Sequence, residues 1–206
     1  NNMATSTSAT SPIDVCTRSL VLIGAQPITS FSDGSNEALV AVNLYEDTVQ
    51  ASLVNTRWRF AVNQAIGNRL SDAPTGRYNS AYQIPSDSLM INAVTVNDRS
   101  IEYQIYGNFI FNDATVNDEV IIDYNFRQVE ANFPAYFVQA VVYELAGHFA
   151  LALARNDSMS NNMFEKARFF MQKARTLDSQ QQTTLRLSTN RFVTSRRTTG
   201  TLSSNV

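Results

Sequence analysis

The sequence predicts an α+β fold: a bundle of about four helices, an inserted small antiparallel β-meander and an extended C-terminal tail. Three observations predict it. Apolar residues recur at helical spacing near both ends of the chain. Between Tyr78 and Tyr124 that period gives way to alternation punctuated by Asn-Asp and Gly-Asn turns. Beyond Ser179 the composition turns to Gln, Ser, Thr and Arg, too poor in apolar residues to build a core. These changes divide the chain into a helical part (11–66 and 130–178), an inserted β-part (67–129) and an arm (179–206).

The elements follow in order. The first ten residues are mostly small and polar and read as a loose end. Ser11-Pro12 is a helix start, because the hydroxyl can cap and Pro at the first turn loses no hydrogen bond. Ile13, Cys16, Leu20 and Ile23 carry the period, and Gly24 stops it. A second helix runs from near Ser35 to about Thr56. Its stripe of Ala38, Val42, Tyr45, Val49 and Leu53 is narrow enough to be a core face or a subunit seam. In the β-part, Asn97-Asp98 and Asn117-Asp118 are turns and Gly107-Asn108 is a tight hairpin. A third helix, from Phe133-Pro134 to about Arg155, is apolar on nearly every face and therefore central. Asn156-Asp157-Ser158 caps a fourth, to roughly Asp178, which buries Met163, Ala167, Phe170, Met171 and Ala174.

Composition narrows the function. The 206 residues carry a net charge of -2, so the body has no general pull toward nucleic acid or an anionic membrane. The arm is the exception, with Arg186, Arg191, Arg196 and Arg197 and no acid from Ser179 onward. Cys16 is the only cysteine and reads as a buried thiol. No apolar run approaches the roughly 20 residues that cross a bilayer. The start has no basic or apolar leader, and a soluble protein is expected, made in a reducing compartment or indifferent to redox state.

Chemistry is hard to find. His148, the single histidine, lies four residues after Glu144, but HExxH is absent and further His or Cys ligands are missing. A Ser-His-Asp or Cys-His centre would have to use His148, and no nucleophile elbow is present. Asp113, Asp118, Glu119 and Asp123 could pair across a sugar-binding cleft. Turn chemistry at Asn112-Asp113 and Asn117-Asp118 is the favoured reading. The seven glycines are scattered, so no phosphate-cradling loop exists. Arg57, Trp58, Arg59 and Phe60 suggest stacking on nucleic acid, but the favoured reading is that Trp58 and Phe60 plug the core. No catalytic residue, metal or cofactor is expected. Fourteen arginines against two lysines suit interfaces, although genome composition could produce the same bias.

Six segments then line up in order: "LVLIGAQPITSF", "RWRFAVNQ", "YNSAYQIPSDSLMINAV", "YQIYGNFIFNDA", "VIIDYNFR" and "NFPAYFVQAVVYELAGHFALAL". As an ordered set, from about Ile13 to Asp178, they make the chain resemble the tail tubular protein A family of short-tailed phages, the tail adaptor or gatekeeper. The resemblance implies a structural virion protein of the tail, assembled in the host cytoplasm. It would form a ring of twelve copies joining the portal to the nozzle (tubular protein B), with tail fibres as neighbours and DNA passing through the hole. No membrane is implied.

Site residues can be placed on that expectation. Val42, Tyr45, Val49 and Leu53 are expected at the lateral seam. Gly107, Asn108, Phe109, Asn112 and Asp113 are expected on a hairpin facing the nozzle. Leu185, Arg186, Leu187, Arg191, Phe192, Arg196 and Arg197, with Val193, are expected to dock the arm on the portal. Two other functions stay open. A head-completion connector of a long-tailed phage would sit beside a tail terminator. A polysaccharide-binding or polysaccharide-degrading tail component would release sugar through its carboxylates.

Overall fold

The computed structural model describes residues 9–72 and 74–181. Its helical part contains four α-helices, each started by the local chemistry of its first residues. Helix α1 (Pro12–Leu22) is capped by Ser11, whose side chain accepts from the Asp14 amide at 3.2 Å. Gly24, at φ +75, takes the left-handed turn that ends the run. Helix α2 (Asn36–Val54) is capped by Ser35, which receives the Ala38 N–H and gives its own hydroxyl to Asp33. Helix α3 (Ala135–Ala152) follows Pro134, whose carbonyl receives the Phe137 and Val138 amides. Helix α4 (Asp157–Gln180) starts at Asn156, whose Oδ1 receives the Met159 N–H at 3.0 Å.

Helix α3 is the axis of the bundle, with α1, α2 and α4 packed around it. Ten of its eighteen residues are buried, which is why its sequence is apolar on nearly every face. Phe137, Val141, Leu145 and Phe149 meet Val15, Cys16 and Leu20 of α1 and Val49 and Leu53 of α2. The most extensive packing is between α3 and α4. Gly147 lies against the Phe164 ring, and the Ser160 hydroxyl donates to the Gly147 carbonyl at 2.8 Å. A Cβ at Gly147 would stand 2.7 Å from that ring. Gly147→Ala is therefore expected to cost about 1–3 kcal/mol, as overpacking does, read as a drop in the urea midpoint at unchanged slope.

The inserted part contains eight strands in two four-stranded antiparallel sheets. One sheet has the order β1 (Val62–Ile66), β8 (Val120–Phe126), β4 (Ser88–Val96), β5 (Arg99–Ser100). The other has the order β2 (Asn68–Arg69), β3 (Ser80–Gln83), β7 (Phe109–Asn112), β6 (Gln104–Tyr106). Tyr82 and Ile110 of the second sheet share a core with Ile91, Val94, Val120, Ile122 and Tyr124 of the first. The β4–β5 turn uses Asn97 and Asp98, at φ +50 and +61, residue types that tolerate the left-handed region.

The β-part differs from the sequence expectation in two details. It begins at Val62, inside the segment (11–66) assigned to the helices. In addition, β8, the last strand, sits between β1 and β4, so the pairing is not that of neighbours along the chain. β1 escapes a periodicity reading because it is an edge strand: four of its five residues are exposed, and no buried face imposes alternation.

Candidate docking surfaces

Two polar clamps join the two parts, and a third closes the helical part on itself. At the first, Asn125 of β8 is buried, and its Nδ2 donates to the Leu53 and Thr56 carbonyls at 2.7 and 2.8 Å. The Leu53 carbonyl lies in the last turn of α2, where carbonyls lack intrahelical partners, and the Thr56 carbonyl, just past the helix, also accepts the Trp58 amide at 3.0 Å. The Asn125 Oδ1 accepts from Asn92 of β4. Its direction follows from the pleat: Val120, Ile122 and Tyr124 face the β-core, so Asn125 faces the helices.

At the second clamp, Arg127 grips Glu46 of α2 with two N–H groups, at 2.8 and 3.0 Å, and also meets Glu130. Burial works against the guanidinium charge, but Glu46 and Glu130 more than offset it and push the Arg127 pKa up. Burial, reinforced by the hydrogen bond to Glu130, raises the Tyr45 phenol.

The third clamp is Asp178 near the end of α4. It is buried and accepts from the Arg59 amide at 3.0 Å and the Tyr136 hydroxyl at 2.8 Å. Together the clamps tie β8 and Arg127 to α2, and α4 to α3 and the Arg59 turn.

Several expected site residues are not on the surface. Tyr45, Val49 and Leu53 are 4%, 0% and 0% exposed and lie inside the subunit's own core. They cannot form a lateral seam. The stripe is spent on α3, and only Val42, 49% exposed, looks outward, beside Leu39. Narrow apolar stripes on core helices and on seams have the same spacing, so the sequence could not separate the two.

The hairpin also divides. Gly107, at φ +58, and Asn108 are exposed at its tip, Phe109 is half-buried, and Ile105 and Tyr106 are exposed. Asn112 is fully buried and cannot face a partner. Its Oδ1 accepts the Ser80 hydroxyl at 2.8 Å and the Ala114 amide at 3.0 Å, a turn-closing role. Asp113 is exposed and receives the Asn79 amide. The expected docking residues Leu185, Arg186, Leu187, Arg191, Phe192, Val193, Arg196 and Arg197 lie outside the described residues.

Several of the residues weighed for chemistry hold structural positions. Trp58 is fully buried, gives its indole N–H to the Ser52 carbonyl at 2.8 Å, and packs edge-on against Phe137 at 5.3 Å. Cys16 is buried, and desolvation pushes its thiol up to about 12, so it is not a nucleophile. The Asp118 carboxylate accepts the Thr115 amide and hydroxyl, and these bonds hold its pKa below the ordinary range. Among the described residues no group of three or more His, Cys, Asp or Glu could hold a metal ion.

Glu144 and His148 do share a cleft, of about 740 Å³, with α3 as floor and α2 and α4 as walls. The His148 ring meets Phe164 edge-on at 5.0 Å. Among the described residues no hydrogen bond joins it to Glu144 or to a hydroxyl. The remaining wall positions include Leu44, Ala51, Met171 and Gln172, so the cleft is a half-apolar trough suited to a protein segment. No protein-family model matches the chain, and no curated protein matches it.

Proposed function

We propose that the chain is the ring-forming tail adaptor of a virion, which joins the portal to the nozzle and lines part of the path by which DNA leaves. The observation that carries this reading is the ordered six-segment resemblance. Its segments fall on the end of α1, the Trp58 junction, the β3–β4 stretch, the β6–β7 hairpin, β8 and α3. These are the core and connecting elements, where a shared architecture leaves its sequence trace.

The surface is consistent with assembly. Val21, Leu39, Ile66, Val116, Val129 and Phe169 are each more than half exposed, and they are spread over several elements. A mildly acidic body suits a passage for DNA, because each phosphate gripped by a cation would add salt-dependent affinity and slow sliding. One weak contact repeated around a ring becomes strong through avidity.

Class averages of purified particles or tails test the reading. The expected density is a ring of this chain on the particle axis, with the portal on one side and the nozzle on the other. A map that puts the chain away from the DNA exit overturns it. The arm has its own test. A chain ending at Ser179 is expected to keep its circular-dichroism spectrum and melting temperature while losing attachment to the portal. Undiminished portal binding by that truncated chain would remove the arm from the docking role.

A further inference from the structure

The layer formed by α3 and α4 has two unlike faces. The helices cross at Gly147 and Phe164. On one side of the crossing they expose an aromatic ridge. Tyr143 of α3 stacks on Phe170 of α4 at 4.9 Å and 16°, and Phe169 stands edge-on to Phe170 at 5.3 Å. Phe169 is 62% exposed. Exposed aromatics clustered on a rigid helix are the residues that anchor protein interfaces. On the other side lies the trough between α2 and α4. Consecutive residues of α3 separate the two, since Tyr143 belongs to the ridge and Glu144 to the trough floor. The same holds on α4, where Phe169 faces the ridge side while Arg168 and Met171 line the trough.

Charge distinguishes the faces in the same way. The only two lysines of the whole sequence, Lys166 and Lys173, stand three residues before and four after Phe169, on the same helix face. Glu165 is the acid beside them. The trough carries Asp47 on its α2 wall and Glu144 on its floor, with Arg168 and Arg175 on the α4 wall. An incoming ridge therefore finds acids for its two lysines and arginines for its one glutamate.

We propose that this chain binds a second copy of itself head to tail, the Phe169 ridge of one copy seated in the α2–α4 trough of the next. Every copy carries one ridge and one trough on opposite sides of the same layer. Such a heterologous contact leaves a free ridge and a free trough after each addition, and it closes into a ring when the rotation fits. That closure rests on the adaptor reading above, whereas the pairwise contact does not. The contact moves the lateral seam from the buried stripe of α2 to α3, α4 and the trough-facing side of α2.

The test uses full-length chain and two substitutions at exposed positions, Phe169→Asp on the ridge and Ala51→Trp in the trough. By sedimentation velocity the unaltered chain is expected to associate with rising concentration. Each variant alone should associate roughly thirtyfold more weakly, the loss an aromatic hot spot carries. An equimolar mixture should form heterodimers and nothing larger, because one variant keeps its trough and the other its ridge. A mixture no better associated than either variant alone overturns the proposal, as does wild-type association by either variant.

Should the unaltered chain stay monomeric in the centrifuge, Phe169→Cys and Ala51→Cys copies are mixed at high concentration with a short bis-maleimide. Buried Cys16 does not compete. Mixed dimers several-fold above those formed by Phe169→Cys with a distant Asp72→Cys copy support the contact, and equal yields sink it. Rings in particle averages without this cross-link would leave the adaptor reading standing and remove the seam. The cross-link without rings would do the reverse.

Discussion

Trp58→Ala is expected to lower the stability of the chain by about 3–5 kcal/mol. Two causes add. The indole is fully buried between Phe60 and Phe137, at centroid distances of 5.7 and 5.3 Å, and its removal leaves a void at the junction of the helical and β-parts. The Ser52 carbonyl also loses the shorter of its two hydrogen bonds, keeping only the Asn55 amide at 3.3 Å.

Trp58→Phe separates the two causes. It retains part of the ring packing while losing the N–H and the volume of the second ring, so its expected cost is about 1–3 kcal/mol. Urea unfolding followed by far-ultraviolet circular dichroism measures both. If Trp58→Ala unfolds within 1 kcal/mol of the parent, on the order of a surface substitution, the indole is not the keystone of the junction. The effect also decides between two readings of the Arg57-Trp58-Arg59-Phe60 run. A nucleic-acid stacking residue would be dispensable for folding, and a core plug is not.

What could be read in advance follows from which signals are local. Helix starts depend on a hydroxyl or amide beside the first turn, so Ser11, Ser35 and Asn156 are visible in the sequence and all three cap. Turns depend on residues that tolerate the left-handed region, so Asn97-Asp98 and Gly107 are visible too. Burial is legible only where apolar content saturates a helix, as in α3. On α2 the same spacing serves a core stripe or a seam, and the choice depends on α3, some 90 residues away. β1 and β2 are illegible because edge strands have no inward face to pattern. Asn125 and Asp178 are polar residues whose partners, Leu53, Thr56, Arg59 and Tyr136, lie far along the chain, and no periodicity announces them. Helical spacing puts Phe170 on the buried face of α4, and in the fold it is half-buried against Tyr143. The exposure of its neighbour Phe169 became visible only once α4 was seated on Gly147.

Asn125→Asp is expected to act through charge at the clamp between β8 and α2. The substitution hardly changes shape, but it replaces an amide that donates to two carbonyls with a carboxylate that donates to neither. At neutral pH a negative charge would be buried against the Leu53 and Thr56 oxygens, and the expected cost is about 2–4 kcal/mol. The folded protein would hold this carboxyl protonated more tightly than the unfolded chain does. Its folded pKa therefore lies above the unfolded value of about 3.9. The sign follows: the folded state binds more protons across this interval, so stability relative to the parent falls as pH rises. The penalty is smallest below the unfolded pKa, where a carboxylic acid can still give one hydrogen bond. It grows through the mildly acidic range and levels off above the folded pKa. Urea midpoints of Asn125→Asp and the parent, measured side by side from acid to neutral pH, should diverge upward in pH. Parallel curves would mean that the side chain turns to water and that β8 is not held to the end of α2 by this amide. Asn125→Ala should then show no pH term of its own, while still losing the two donors. The comparison isolates buried charge from missing hydrogen bonds at the one residue that joins the two parts through the backbone of α2.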